Sequence, residues 1–145
     1  MTKSPVLATD SGDLLGLTAA LVAIGSESHQ EHELANLLAA RLSEAAPGLS
    51  IDRVGDNVIA RTDLGRDRRV VLGGHLDTVP SNGNAMARVE GDVLHGLGSA
   101  DMLGGVAVLL RLAEALQAEP DRARHDVTLA LYVCEEVADE FNGLR

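Results

Sequence analysis

A continuous apolar run, Val70-Val71-Leu72-Gly73-Gly74, and a mostly apolar one, Val127 to Cys134, flank one amphipathic segment, and that arrangement leaves the chain few folds. A short continuous run rich in Val and Leu suits a strand buried on both faces, as in a parallel sheet. Between the runs, Val106, Leu109, Leu110, Ala113 and Leu116 recur at spacings of three and four, the stripe of a buried helix face, and Pro120 lies past its end. Parallel strands cannot be joined by a tight turn and need a crossover. Strand, helix and strand therefore read as a βαβ unit, and the fold class as α/β.

The rest of the chain extends that unit. Leu14, Leu17, Leu21 and Ile24 predict a helix from Asp13 to Ile24, stopped by Gly25. Ser28-x-x-Glu31 has the spacing of a capping box, and Leu34, Leu37, Leu38 and Leu42 stripe a second helix ended by Pro47-Gly48. A period of two then takes over. Leu49 to Val54 and Val58-Ile59 predict a hairpin about Gly55-Asp56, and residues 64–67 a polar turn. Residues 81–100 are glycine-rich and irregular, with a small hairpin about Glu90-Gly91-Asp92, and Asp101 is expected to open the third helix.

Composition narrows the function. At 145 residues one domain is expected. Tyr132 and Phe141 are the only aromatics, so the core is aliphatic and stacking on bases or sugars is not its mode of binding. A net charge of -10 opposes nucleic acid and anionic membrane surfaces alike, since both are bound by neutralising phosphates. One cysteine, Cys134, rules out an internal disulfide. The start, Met1-Thr2-Lys3-Ser4-Pro5 and then Asp10, lacks the basic, apolar pattern of a signal peptide. No apolar run approaches the ~20 residues of a membrane span, so the cytoplasm is expected.

Three clusters carry chemistry. In His75-x-Asp77, residues two apart on an extended segment point the same way, so the aspartate can fix the ring's tautomer and raise its basicity for a metal. An H-x-D dipeptide is also a common structural pair. In Gly98-Ser99-Ala100-Asp101-Met102-Leu103-Gly104-Gly105 the phosphate-loop lysine is missing, and Asp101 stands where a dinucleotide motif needs its third glycine. Asp101 is then either an acidic helix cap or a hard metal ligand. In Cys134-Glu135-Glu136, one carboxylate can bind a metal while its neighbour reaches the water; two solvated surface glutamates are the plain alternative. Cys134 as a nucleophile with His75 leaves the acidic groups without a role and reads better as a small buried residue. His29, His32 and His125 read as surface residues, and His95 as a candidate for the rim. His75/Asp77 and Glu135/Glu136 both fall at carboxyl ends of strands, the edge where open α/β sheets bind ligands.

Taken together, Gly74-His75-Leu76-Asp77-Thr78-Val79-Pro80, Ser99 to Gly105 and Cys134 to Leu144 closely resemble the dinuclear zinc amidohydrolases. That family includes succinyl-diaminopimelate desuccinylase, acetylornithine deacetylase and the glutamate-releasing carboxypeptidase G. The resemblance covers the chain from the first helix onward, and Cys134-Glu135-Glu136 with Asn142-Gly143-Leu144 is most similar to the desuccinylases of actinobacterial type. It implies a zinc-exopeptidase-like mixed sheet flanked by helices. It also implies two Zn2+ ions, with Co2+ as an alternative. His75 would be a ligand of one zinc, Asp101 the carboxylate bridging both and Glu136 a ligand of the other. Glu135 would be the general base and Asp77 would orient His75. The substrate would be a small N-acyl amino acid, and such enzymes are often homodimers.

Two departures shape what is expected. Leu103 stands where the family has Lys, removing a charge near the site. The family also continues far past this length, with a lid and dimerisation domain and further ligands. Residues 1–145 are accordingly expected to form the N-terminal part of a catalytic domain, with an incomplete sheet whose last strand has an unpaired edge. With so few ligands, weak metal affinity and no amidase activity are expected of the chain itself. An acetylornithine deacetylase, an amino-acid carboxypeptidase or a non-catalytic remnant remain as alternatives.

Overall fold

β3 (Arg69–His75) and β6 (Asp126–Tyr132) pair in parallel from Arg69↔Asp126 to His75↔Tyr132, and α3 (Gly104–Ala118) joins them, so the βαβ unit is present. The structure is a computed structural model, and it describes residues 12–145. The reading of the first residues as free of a signal peptide lies outside those described. α1 (Leu14–Val22) and α2 (His32–Ala45) precede the hairpin of β1 (Ser50–Val54) and β2 (Asn57–Arg61). The hairpin docks through β2, antiparallel to β6, giving a mixed sheet of order β1-β2-β6-β3. A separate ribbon, β4 (Arg88–Glu90) with β5 (Val93–His95), turns at Gly91.

The core is aliphatic. Leu17 and Leu21 of α1, Leu34 and Leu38 of α2, Val106 and Leu110 of α3 and Leu129 and Leu131 of β6 are all buried in one cluster. α3 lies close on β3 at Gly74, where an added Cβ would meet Leu109 at 3.1 Å and Met102 at 3.2 Å. A side chain there would crowd the ends of Leu109 and Met102 against the strand that carries His75.

Several expectations change. β6 is not an edge strand, because β2 covers its other side; among the described residues the free edges are β1 and β3. β3 is not buried on both faces: Val71 is 64% exposed, and burial is complete only at Gly74 and His75. An apolar run has the same composition whether or not a neighbour covers it. α2 begins at His32 with no side-chain cap, so the capping box is absent. Ser28 and Glu31 instead make the tertiary contacts described below. α3 begins at Gly104, not Asp101. Residues 99–103 form an irregular turn closed by Leu103 N–H donating to the Gly98 carbonyl at 2.8 Å, with Asp101 at φ -130°, ψ 101°. Gly98, at φ +78°, takes a left-handed conformation suited to glycine. α1 ends at Val22, two residues early, and is capped by Asp13, which accepts from Gly16 N–H at 2.6 Å.

At the far end of the sheet, the buried Asp126 carboxylate accepts from Thr62 Oγ1 at 2.7 Å, Leu64 N–H at 2.7 Å and Arg66 N–H at 2.9 Å. These donors, led by Leu64 and Thr62 and helped by Arg69, outweigh burial and hold its carboxyl down to about 2. An unfolded Asp titrates near ~3.9. The folded value is depressed, so this contribution is complete above about pH 4 and lost as pH falls towards 2. Asp126→Asn is expected to lower Tm at pH 7 by several degrees and to flatten the loss of Tm on acidification through that window. Thermal scans across pH check it; a variant with the wild-type acid slope would refute it.

Candidate metal centre

β3 and β6 end at the same level, since His75 and Tyr132 are register partners and Leu76 N–H donates to the Tyr132 carbonyl at 2.8 Å. Beyond them, residues 76–78 and 133–136 run side by side. The Asp77 carboxylate, 0% exposed, joins the two segments. Its Oδ1 accepts from Glu135 N–H at 2.9 Å, and its Oδ2 from Glu136 N–H at 3.0 Å and Ser28 Oγ at 2.7 Å. Burial alone would push this carboxyl up, but the donors from Glu136, Glu135 and Ser28 outweigh it and the pKa is lowered. Buried Glu31 takes the preceding amide: Cys134 N–H donates to its Oε1 at 3.1 Å. Three successive amides thus end on two buried carboxylates, which fixes the turn carrying Glu135 and Glu136. Cys134 sits in this turn at φ +59°.

His75 is 4% exposed. Its Nδ1 lies 3.0 Å from the Asp77 backbone carbonyl and 3.4 Å from the Asp77 carboxylate. The orientation expected from the carboxylate therefore comes first from the main chain. A carbonyl can only accept, so Nδ1 carries the hydrogen and Nε2 is left as the lone pair in the neutral ring. Nε2 is 3.1 Å from Asp101 Oδ1 and 4.0 Å from Glu135 Oε2. A lone pair facing a carboxylate needs a positive charge, from a proton on Nε2 or a cation shared by both. Glu136 completes the set: among the described residues, ligand atoms of His75, Asp101 and Glu136 lie within 4.8 Å of one another. Burial raises the Glu136 pKa, and the charge of Asp101 adds to it while His75 opposes it. One imidazole and two carboxylates are a donor set that suits zinc.

The cluster reaches solvent through its carboxylates. The Asp101 side chain is 78% exposed and that of Glu135 43%. Cys134 is the opposite: burial foremost, with Glu31 beside it, raises its thiol pKa, which opposes a nucleophilic role. His29 is exposed as expected, but it also packs edge-on against Phe141 at 5.1 Å and lies 3.5 Å from Cys134 Sγ. His32 pairs with Asp56 on the surface at 2.8 Å, and His95 stands on the β4–β5 ribbon, 3.5 Å from Glu90. Leu103 is 1% exposed and packs in the core. Sequence reading overlooked Ser28, Glu31 and Tyr132. Tyr132, whose ring lies 6.3 Å from that of His75, has its pKa raised by burial and then by Glu135, Asp77 and Asp101. Its place as the lone aromatic at a strand end was a usable signal; Ser28 and Glu31 offered none beyond the capping spacing.

A profile described as peptidase family M20/M25/M40 matches residues 71–145, which include His75, Asp77, Asp101, Glu135 and Glu136. The chain belongs to this family. It is 52% identical over 133 residues to a Mycobacterium tuberculosis protein provisionally named succinyl-diaminopimelate desuccinylase, covering 92% of this chain and 36% of that one. It is 44% identical over 134 residues to a Corynebacterium glutamicum succinyl-diaminopimelate desuccinylase, again covering 92% and 36%. The M20 chain thus spans about 36% of the length of these relatives. Among solved structures, human carnosine dipeptidase 1 matches with TM-score 0.75 at 18% identity, over 90% of this chain and 34% of that one. The Bacillus subtilis YXEP protein, described as a dinuclear metal-binding peptidase of family M20, matches with TM-score 0.62 at 20% identity, over 89% and 37%. These structural likenesses bear on the fold: the mixed α/β sheet with its helices is that of M20 peptidases over the matched part. No helix among the described residues is long and apolar enough to cross a membrane.

Proposed function

We propose that this chain belongs to a zinc-dependent amide hydrolase that converts N-succinyl-LL-2,6-diaminopimelate and water to succinate and LL-2,6-diaminopimelate. The observation that carries the reading is the convergence of His75, Asp101 and Glu136 beside Glu135, at the carboxyl ends of two parallel strands. The similarity to desuccinylases supports the choice of substrate. Residues 1–145 would form the N-terminal part of the catalytic domain of a cytoplasmic, homodimeric enzyme.

In this reading His75, Asp101 and Glu136 would hold the zinc ions, His75 through its Nε2 lone pair and Asp101 as the carboxylate shared between them. When bound, zinc or cobalt supplies a Lewis acid for the amide carbonyl and lowers the pKa of water. Glu135 takes the proton of the attacking water and delivers it to the departing amine. Asp77, by accepting both amides, holds in place the turn that carries Glu135 and Glu136. Three protein ligands for two ions fall short of the three each that catalytic zinc usually has. The 145-residue chain is therefore expected to bind metal weakly and to have no turnover of its own.

A chimera separates identity from completeness. This chain, grafted in place of the matching segment of the C. glutamicum enzyme, is expected to release succinate with zinc present, and Glu135→Gln to abolish that release. A folded, zinc-loaded chimera that leaves the N-succinyl substrate intact but cleaves another N-acyl amino acid would overturn the substrate assignment.

A further inference from the structure

At the end of the sheet opposite the candidate metal centre, roughly 20 Å along β3, two short loops border an open surface cavity of about 380 Å3. It is lined by Gly65, Arg66, Asp67, Arg68, Arg124 and His125. Every other described arginine has a carboxylate within 4 Å. Arg66, Arg68 and Arg124 have none, and all three face this one cavity. In a chain of net charge -10, acidic partners are abundant, so their absence here is not a matter of supply. Asp67 is the lone acidic residue of the lining, and it forms no ion pair within that distance.

The loop is also held in shape before any ligand arrives. Asp126 accepts the Leu64 and Arg66 amides and donates its own N–H to the Arg68 carbonyl at 2.9 Å, while Gly65 turns at φ +68°. This fixes the backbone from which two of the guanidinium groups project. Arg124 and His125 come from the second loop, directly before β6.

We infer that this cavity is a binding site for a small, multiply charged oxyanion, bearing two or more phosphate or carboxylate groups. Guanidinium forks match both oxyanions in a bidentate manner, and a pocket of this size suits a small ligand. The net charge of the chain repels anions at long range, so binding depends on contact with all three arginines and weakens with salt.

The test is isothermal titration of the metal-stripped 145-residue chain with pyrophosphate and, separately, citrate at low ionic strength. Saturable one-site binding of one or both is expected; the tighter anion marks phosphate or carboxylate as the natural chemistry. Arg66→Gln with Arg124→Gln is expected to weaken binding by about tenfold or more. Arg88→Gln with Arg145→Gln, which removes the same charge away from this cavity, is expected to leave it unchanged. The absence of saturable binding for both anions, or equal losses in the two double variants, would overturn the inference. The outcome is independent of the metal centre, since the chain is stripped of metal.

Discussion

Asp77→Ala is expected to destabilise the chain by roughly 3–4 kcal/mol and to remove metal binding with it. The carboxylate is 0% exposed and takes three hydrogen bonds, from Glu135 N–H, Glu136 N–H and Ser28 Oγ. A buried donor left unsatisfied costs about 1–3 kcal/mol. The lower part of that range applies, because Ser28 Oγ already lies 3.4 Å from the Thr78 carbonyl and can turn to it, and Glu135 is exposed enough to admit water. Against a total stability of about 5–15 kcal/mol the loss is large. Urea unfolding should show it as a clear fall in the midpoint with little change in slope. A wild-type midpoint would mean that the three bonds do not hold the turn.

Asp101→Asn is expected to have the opposite profile. Its side chain is 78% exposed, and its one hydrogen-bond contact is to His75 Nε2, so stability should stay close to that of the wild type. Metal affinity should fall by about 100-fold or more, since removing a mere supporting partner of a ligand already costs 10–100-fold. The pair of variants separates the two roles of the site's carboxylates. One holds the turn, and in the proposed centre the other would face the ion.

The βαβ unit was legible because two apolar runs and a helical stripe between them admit few other arrangements. The level at which the strands end, and so the meeting of His75 with Glu135 and Glu136, followed from it. Strand order was not legible. Val70 and Val71 read as buried on both sides, yet they lie on an exposed edge, because composition records a residue's preference and not which neighbour is present. Ser28 and Glu31 have the spacing of a helix cap but bond to Asp77 and Cys134, some 49 and 103 residues away in the chain. A local pattern cannot reveal a partner so distant. Nothing in the sequence singled out Asp126, and only the folded sheet shows three donors converging on it. Asp101 was legible as a candidate ligand but not as the member of an irregular turn that precedes the helix.

The reading of His75, Asp101 and Glu136 as part of a dinuclear centre is tested most directly by titrating zinc into the metal-stripped 145-residue chain. Weak, saturable binding, micromolar or weaker, is expected, and it should be lost in both His75→Ala and Asp101→Asn. Two tight zinc sites on this chain, or binding untouched by either substitution, would contradict it.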